Sequence, residues 1–439
     1  MKVLLVGGGG REHAMAKVLN NEGAEIYTVM KNINPGIAKI SEDVLISNEL
    51  DIEKVSGWAV SKNVELAIIG PEAPLEKGIA DMLDKKGIKT ASPSRNAARI
   101  ETSKEYMRNL MRKYKINGAV DYEILKQIDD LKTYIIGYEK PFVIKPIGLT
   151  GGKGVHVMGD HFQTKEEGLK YAEKIINENI GGGKVIIEEK LVGEEFTLQI
   201  FTDGANLVPM PIVQDFKRAL EGDEGPNTGG MGSYSMENHM LPFLSNEDYQ
   251  KAIEILKEII NAMRKEGDMY KGVMYGQFML TTEGPKVIEI NARFGDPEAM
   301  NVLSLVEGGF LDMVVGMADG DILNKKVNFS DKSTVVKYIV PAGYGYSSKV
   351  DSELEIDEDA IKKENAILYY ASVNERNGKI YTTSSRSLAI VGIGDDLEEA
   401  EKTAEKCTNY VKGDYHMRHD IGKRAKIEKK IHKMKELLG

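Results

Sequence analysis

Cysteine is nearly missing from this chain of 439 residues, in which Cys407 stands alone. A single thiol cannot close an internal disulfide, and so little cysteine in so long a chain suits a reducing compartment. No apolar stretch reaches the roughly 18 residues that a membrane helix needs. No basic leader segment precedes the first apolar run, since Met1 leads almost directly into Val3–Val6. An excess of positive charge is lacking too. The formal net charge of −10 argues against a general binder of nucleic acid or of anionic membranes. The expectation is a cytoplasmic protein with neither kind of partner. What remains is ordinary: 41% hydrophobic and 29% charged residues describe a globular protein. The length predicts about two to four domains.

One stretch organises the rest. Residues 142–155, Phe-Val-Ile-Lys-Pro-Ile-Gly-Leu-Thr-Gly-Gly-Lys-Gly-Val, read as a strand, a glycine loop and a second strand over Val155–Met158. Gly151, Gly152 and Gly154 let the backbone approach a ligand and offer N–H groups to it, because no Cβ intervenes. Lys145 and Lys153 add two cationic heads. The loop suits a polyphosphate; the other reading is a solvated surface hairpin. A Walker-A loop is excluded. Only three residues separate Gly148 from Gly152-Lys153, Gly154 takes the hydroxyl position, and the loop opens a strand rather than a helix.

At the start of the chain, Lys2–Val6 predicts a buried strand, Gly7–Gly10 a tight turn, and Arg11–Leu19 a helix. Glu25–Met30 and Val64–Ile69 read as further strands, so the alternation predicts a parallel, doubly wound sheet. A dinucleotide fingerprint fails in detail. Frames starting at Gly7 and Gly8 meet Glu12 and His13 where the third glycine belongs, and Lys31 rather than an acid follows the second strand. The turn then reads either as an anion site at a helix N-terminus, with Arg11 beside it, or as a purely structural turn. Glu72, in Gly70-Pro71-Glu72-Ala73-Pro74-Leu75, follows a parallel strand where such sheets bind ligands. It suits a ribose hydroxyl, or belongs to a proline-stiffened turn.

Thr102-Ser103-Lys104-Glu105 predicts a capping box and a domain boundary. Lys104 in a first helical turn opposes the helix dipole, which favours a nearby anionic ligand as much as simple solvation. Residues 120–192 predict a small α+β lid, with a second capping box at Thr164–Glu167, a break at Gly181–Gly183 and a strand over Lys184–Glu189. Glu188, Glu189, Glu194 and Glu195 read as an acidic turn or as receivers of a nucleoside. Thr197–Phe201 and Val208–Val213 predict strands. A long polar loop is expected after residues 214–218, ending in Gly225-Pro226-Asn227-Thr228-Gly229-Gly230-Met231-Gly232. Ile253, Leu256, Ile259, Ile260 and Met263 make the core face of a helix.

Val273–Leu280 and Val287–Asn291 predict a β-hairpin. Side chains alternate along a strand, so Glu289 and Asn291 face one site, and Gln277 on the partner strand offers a third oxygen. Such a set suits a magnesium ion bridging nucleotide phosphates. In Arg293-Phe294-Gly295-Asp296-Pro297-Glu298, Asp296 is expected to cap a helix with Pro297 in its first turn, which leaves Arg293 for phosphate or carboxylate. From about Val327, strands over Thr334–Val340, Ala366–Val373 and Leu388–Val391 and a helix over Leu397–Val411 predict a separate α+β domain. Gly422–Leu438 reads as a basic helix with a solvated face.

Together these motifs closely resemble the glycinamide ribonucleotide synthetases, the phosphoribosylamine–glycine ligases of the ATP-grasp superfamily. The resemblance spans nearly the full length. It rests on residues 9–14, 70–75, Lys145 with 151–154, 225–232, 289–298 and the late Asp420-Ile421-Gly422-x-Arg424-Ala425. The runs Pro226–Gly232 and Arg293–Glu298 are its most specific parts. Departures are Pro146-Ile147-Gly148 in place of Ala-Asp-Gly, Met300 in place of a glutamine, and Phe216 where histidine is common.

The resemblance implies three units: a substrate domain at 1–103, an ATP-grasp domain at 104–325 with its lid, and a C-terminal α+β domain at 326–439. It implies an enzyme of de novo purine synthesis joining glycine to 5-phosphoribosylamine with ATP, through a glycyl phosphate. It places Lys104, Lys145, Gly151, Gly152 and Lys153 on phosphates, and Glu188, Leu191 and Glu195 on adenosine. Gln277, Glu289 and Asn291 would hold two magnesium or manganese ions, with Arg293 at the transferred phosphoryl group. Gly10, Arg11, Glu72, Asn227, Thr228, Gly229 and Gly230 would meet the ribosylamine, and Asp215 the glycine amine. A monomer or weak homodimer is expected. A sister carboxylate–amine ligase and a non-catalytic nucleotide-binding regulator are the rival readings.

Overall fold

The computed structural model describes residues 1–148 and 154–439. Its first sheet has five parallel strands in the order β3–β2–β1–β4–β5: β1 Lys2–Val6, β2 Glu25–Met30, β3 Ser41–Ile46, β4 Leu66–Ile69 and β5 Lys89–Thr90. Val3 to Val6 are fully buried, the continuous apolar run that a parallel strand covered on both faces requires. The order reverses between β1 and β4. Gly7 and Gly70, at the ends of these two strands, therefore border the crevice where doubly wound sheets take ligands. β3 and β5 are not visible in the sequence because both are edge strands, one half polar and one only two residues long.

The helix at Lys104–Lys113 starts one residue later than its expected capping box. Ser103 is the cap, its Oγ accepting from the Tyr106 N–H at 3.1 Å. Tyr106 thus takes the third helical position and cannot return the bond. Residues 122–189 hold a four-stranded antiparallel sheet in the order β6–β9–β7–β8: β6 Tyr122–Leu125, β7 Phe142–Pro146, β8 His156–Val157 and β9 Val185–Glu189. Leu131, Ile135, Phe142, Ile144 and Ile187 give it a core of its own. β7 and β8 pair as the expected hairpin, Val143 opposite Val157. Gly151, Gly152 and Lys153 lie outside the described residues. The box at Thr164 forms as expected and opens the Lys165–Asn177 helix.

A second antiparallel sheet has the order β11–β10–β14–β15, with β10 Glu194–Thr202, β11 Leu207–Pro209, β14 Gly272–Thr281 and β15 Gly284–Asn291. The buried face of the Asn246–Lys265 helix includes Leu256, Ile259, Ile260 and Met263.

The expected long polar loop is a β-hairpin instead, of β12 Gln214–Leu220 and β13 Glu224–Ser235. Polarity was a poor guide because the polar groups find partners on neighbouring strands and on the Glu298–Ser304 helix. Ser233 Oγ bonds the Asn301 side chain, and Ser235 Oγ lies 2.7 Å from Thr334 Oγ1. A short ribbon follows, β16 Val306–Gly308 with β17 Asn328–Phe329. β13 then continues into C-terminal strands. β18 Ser333–Pro341 pairs with it, and β23 Leu388–Gly394 and β20 Ile367–Tyr370 complete one sheet ordered β12–β13–β18–β23–β20. The C-terminal strands expected to form a separate unit share hydrogen bonds with residues 232–235. β19 Glu353–Ile356, β21 Val373–Arg376, β22 Lys379–Thr382 and β24 Val411–Gly413 make a smaller sheet.

One local expectation is corrected. Asp296 caps nothing. Pro297 precedes the Glu298–Ser304 helix without a side-chain cap, while Asp296 accepts from Tyr338 Oη at 2.5 Å and pairs with Arg386 at 3.0 Å. A cation and a phenol outbid two backbone N–H groups for the carboxylate. The Arg424–Leu438 helix has the expected solvated face, with Lys429 and Lys435 exposed, while Lys426 and Lys433 meet acids of other elements. No helix among the described residues is long and apolar enough to cross a membrane.

Candidate active site

Strand alternation in β15 turns Glu289 and Asn291 to one side, and Asn291 Nδ2 donates to Glu289 Oε1 at 3.1 Å. Gln277 stands opposite Glu289 on β14. Burial would raise the Glu289 carboxyl. The cations Lys217, Lys145 and Lys104, with the Asn291 hydrogen bond, more than offset this and hold it below the usual carboxylate range. One ionised carboxylate thus sits in the field of three lysines from three different elements.

Lys145, at the end of β7, lies 2.6 Å from Glu188 Oε2 on the paired strand β9. Arg108 grips the same carboxylate as a fork, at 2.7 and 3.0 Å. Burial alone would raise Glu188; Arg108 and Lys145 bring it down to about 2. Glu188 is thus committed to two cations and sets the position of Lys145. Lys104 Nζ donates to Gly148 O at 3.1 Å, which ties the helix of Lys104 to the base of the glycine loop. Leu191 lies half-buried between β9 and β10.

Beside Glu289 a second group of side chains converges. Lys217 on β12 lies 2.9 Å from Glu195 on β10 and 3.9 Å from Asp215. Gln277 Nε2 donates to Glu195 Oε2 at 2.8 Å, and Thr197 Oγ1 lies 3.2 Å from Gln277 Oε1. Tyr275 Oη donates to Gln277 Oε1, and to Glu298 Oε1 at 2.8 Å. Burial raises both Asp215 and Glu298; the neighbouring Glu195 charge adds to the first shift and the Asp215 charge to the second. Lys217 is held firmly protonated: Asp215, Glu195 and Glu289 outweigh its burial.

A third group lines the crevice of the parallel sheet. Arg293 was expected to pair with phosphate or carboxylate, and the partners present are carboxylates of the chain. It donates to Glu101 Oε1 at 2.8 Å and lies 3.5 Å from Glu72 Oε2. Arg11 is buried, donating to Glu12 Oε1 at 2.7 Å and to Phe294 O at 3.0 Å. Glu12 also accepts from the Gly9 N–H at 2.7 Å, so an acid of the chain itself caps the helix N-terminus that the sequence offered to an anion. A Cβ at Gly70 would lie 1.9 Å from Glu12 Oε1, which explains the glycine. Gly10 faces Tyr338 and Met300. In β13, Thr228 Oγ1 donates to Lys217 O at 2.8 Å, and Asn227 pairs with Arg218 across the hairpin. Arg386 Nη1 donates to Gly229 O at 2.6 Å and Gly230 O at 3.1 Å.

The structure thus brings Lys104, Lys145, Glu188, Gln277, Glu289, Asn291, Glu195 and Asp215 into one charge-coupled region. It sets Arg11, Glu72 and Arg293 beside one another at the mouth of the first sheet. Sequence reasoning missed Glu101, Arg108, Lys217, Tyr275 and Arg386 as site residues. For Arg108 a signal existed: it falls among Met107, Leu110 and Met111 on the inward face of its helix, where an unpaired arginine has no place.

A lysine-bearing hairpin, a four-stranded sheet whose last strand ends in metal-type oxygens, and a preceding parallel domain together make up the architecture of the ATP-grasp carbon–nitrogen ligases. Family sequence models for the phosphoribosylglycinamide synthetase N domain, ATP-grasp (A) domain and C domain match residues 1–101, 102–299 and 334–424. The chain belongs to the phosphoribosylamine–glycine ligase family. It is 50% identical over 442 residues to the phosphoribosylamine–glycine ligase of Methanocaldococcus jannaschii, covering 100% of both chains. It is 51% identical over 437 residues to that of Pyrococcus abyssi, covering 100% of this chain and 98% of the other. The crystal structure of the Thermotoga maritima phosphoribosylamine–glycine ligase superposes with a TM-score of 0.82 at 28% identity, over 96% of this chain and 100% of that one. The biotin carboxylase domain of Hydrogenobacter thermophilus 2-oxoglutarate carboxylase shares the fold alone, with a TM-score of 0.72 at 15% identity, over 99% and 93% of the chains.

Proposed function

We propose that this chain joins the carboxylate of glycine to the amine of 5-phosphoribosylamine, with ATP converted to ADP and phosphate, as a step of de novo purine synthesis. The observation that carries the reading is the ionised Glu289 beside Asn291, in the field of Lys104, Lys145 and Lys217. A triphosphate needs both kinds of group: cations for its oxygens and hard oxygens for its metal.

The residues fit a divalent cation. Glu289 offers a charged oxygen. Asn291 donates through its nitrogen to Glu289 and so leaves its oxygen for a metal. No cluster of three or more His, Cys, Asp or Glu side chains arranged for a metal exists among the described residues. Magnesium and manganese take one or two protein oxygens and complete their shell with phosphates and water. Glu289, Asn291 and Gln277 would hold two such ions, which neutralise charge on the phosphates when bound.

In this reading Lys104 and Lys145 hold phosphate oxygens, Gly151, Gly152 and Lys153 are assigned to the same groups, and Glu195 and Leu191 to the nucleoside. Glu188 serves by fixing Lys145. Asp215 receives the glycine ammonium. The glycine carboxylate attacks the γ-phosphate and gives glycyl phosphate and ADP. The ribosylamine nitrogen then attacks the acyl carbon, phosphate leaves, and the amine gives up one proton. Arg293, held by Glu101 and Glu72, arrives oriented for the transferred phosphoryl group, so its positioning is complete before substrate binds. The crevice of Gly10, Arg11 and Glu72, with Asn227 to Gly230 across from it, takes the ribosylamine. The same reading takes the enzyme as cytoplasmic and as a monomer or weak homodimer, divided after residues 103 and 325 with a lid at about 120–192. The test is ADP release with each co-substrate omitted in turn. Release should need both glycine and the ribosylamine, and equal release without glycine overturns the proposal.

A further inference from the structure

The Arg424–Leu438 helix begins where the match to the C-domain model ends. Lys426, Lys430 and Lys433 recur along it at spacings of four and three and so share one face. Lys426 Nζ lies 2.7 Å from Asp420 and 2.8 Å from Asp223. Lys433 Nζ donates to Glu194 Oε1 at 2.7 Å. Between them, Lys430 Nζ stands 4.5 Å from the centre of the Phe216 ring and 3.6 Å from Glu194 Oε2, with its side chain 15% exposed. The second distance is an attraction between charges rather than a hydrogen bond.

Strand alternation makes this the back of the site. On β12, Phe216 points away from the face that Asp215 and Lys217 present. On β10, Glu194 points away from the face on which Glu195 meets Lys217 and Gln277. β10 and β12 belong to different sheets. Thr197 on β10 and Val213, just before β12, exchange two backbone bonds at 2.8 and 3.1 Å, and Gln214 Nε2 donates to Glu195 O at 2.8 Å. The side-chain faces on either side of that joint are then tied in front by the Lys217–Glu195 pair at 2.9 Å and behind by Lys430 spanning Phe216 and Glu194. A leucine would cover the Phe216 ring as well as a lysine does and would not desolvate an ammonium. The ammonium is needed for its second contact, the acid on the neighbouring sheet.

We propose that Lys430 is a positioning residue for the amino-acid pocket: bridging Phe216 and Glu194 from behind, it sets Asp215 and Lys217 on one sheet against Glu195 on the other. The proposal rests on the reading of the Asp215 side as the glycine pocket. The experiment is steady-state ADP release by the full-length enzyme, titrating glycine, ATP and the ribosylamine separately. Lys430→Met should raise the KM for glycine about tenfold and leave the KM for ATP within about twofold, while Lys430→Arg should recover most of the loss. Glu194→Gln, which keeps the helix lysines, should move the same constant in the same direction and serves if Lys430→Met does not fold. A purely packing role predicts that Met is as good as Lys, or that all constants worsen together with a fall in Tm; either result overturns the proposal. Asp215→Asn separates the two levels. If it raises the glycine KM and Lys430→Met does not, the positioning role alone fails; if it leaves the glycine KM unmoved, the pocket assignment fails and the proposal with it.

Discussion

Glu101 and Arg293, far apart in sequence, meet at the junction of the parallel sheet with β15. Arg293 Nη2 donates to Glu101 Oε1 at 2.8 Å, and the adjacent Ala292 N–H donates to Oε2 at 2.6 Å. Burial, only partly opposed by Arg293, pushes the Glu101 carboxyl up to about 7. The arginine assigned to phosphoryl transfer is therefore aimed by a residue outside the motif that contains it.

Glu101→Gln keeps the shape and removes the charge. We expect kcat to fall on the order of 10- to 100-fold, the scale of a misplaced reacting group, with the KM for ATP within about twofold. Unchanged kcat in the ADP-release assay would show that Arg293 needs no such guide.

Lys145→Ala should weaken ATP binding by about 1.5–3 kcal/mol, the scale of a hydrogen bond to a charged group. Titration calorimetry reads this directly, and an unchanged affinity refutes a phosphate role for Lys145.

Glu188 predicts a dependence of stability on pH. Its folded pKa of about 2 lies below the ordinary 4.5, so in acid the unfolded chain binds the proton more readily. The stabilisation is complete above about pH 4.5 and is lost as pH falls toward 2; for a shift of this size it amounts to about 3 kcal/mol. Denaturant midpoints measured from pH 6 to pH 3 should drop for the parent and be flatter for Glu188→Gln, which should already be less stable at pH 6. Parallel curves would contradict the assignment.

Glu289→Gln should raise the magnesium concentration needed for half-maximal ADP release by at least about tenfold, and a chelator should abolish release in the parent. An unaltered magnesium requirement would remove Glu289 from the metal set.

Arg386 holds the carbonyls of Gly229 and Gly230 together with Asp296. Lysine lacks the planar fork to do this. Arg386→Lys should raise the KM for the ribosylamine about tenfold and spare that for glycine. Equal changes in both would place the β13 segment outside ribosylamine binding.

Where chemistry and periodicity coincided, the sequence was a good guide. The alternation that puts Glu289 beside Asn291 and the strand pair flanking the glycine loop both follow from side-chain direction alone. β13 was hidden because its serines and threonine find partners on adjacent strands and on a packed helix, so a polar run did not mean a loop. Glu101, Arg108 and Arg386 were hidden for another reason. Each acts through a partner more than 75 residues away, and no local pattern marks such a pairing.

The pairing of β13 with β18 bears on how the chain is made. Ser233 lies opposite Val336, so during synthesis this strand edge waits uncovered while roughly a hundred further residues emerge, several seconds at ordinary translation rates. An open edge is a template for pairing with another chain. A ribosome stalled near residue 325 would therefore release a product with an aggregation-prone flank, and its solubility would report on the completion of β18.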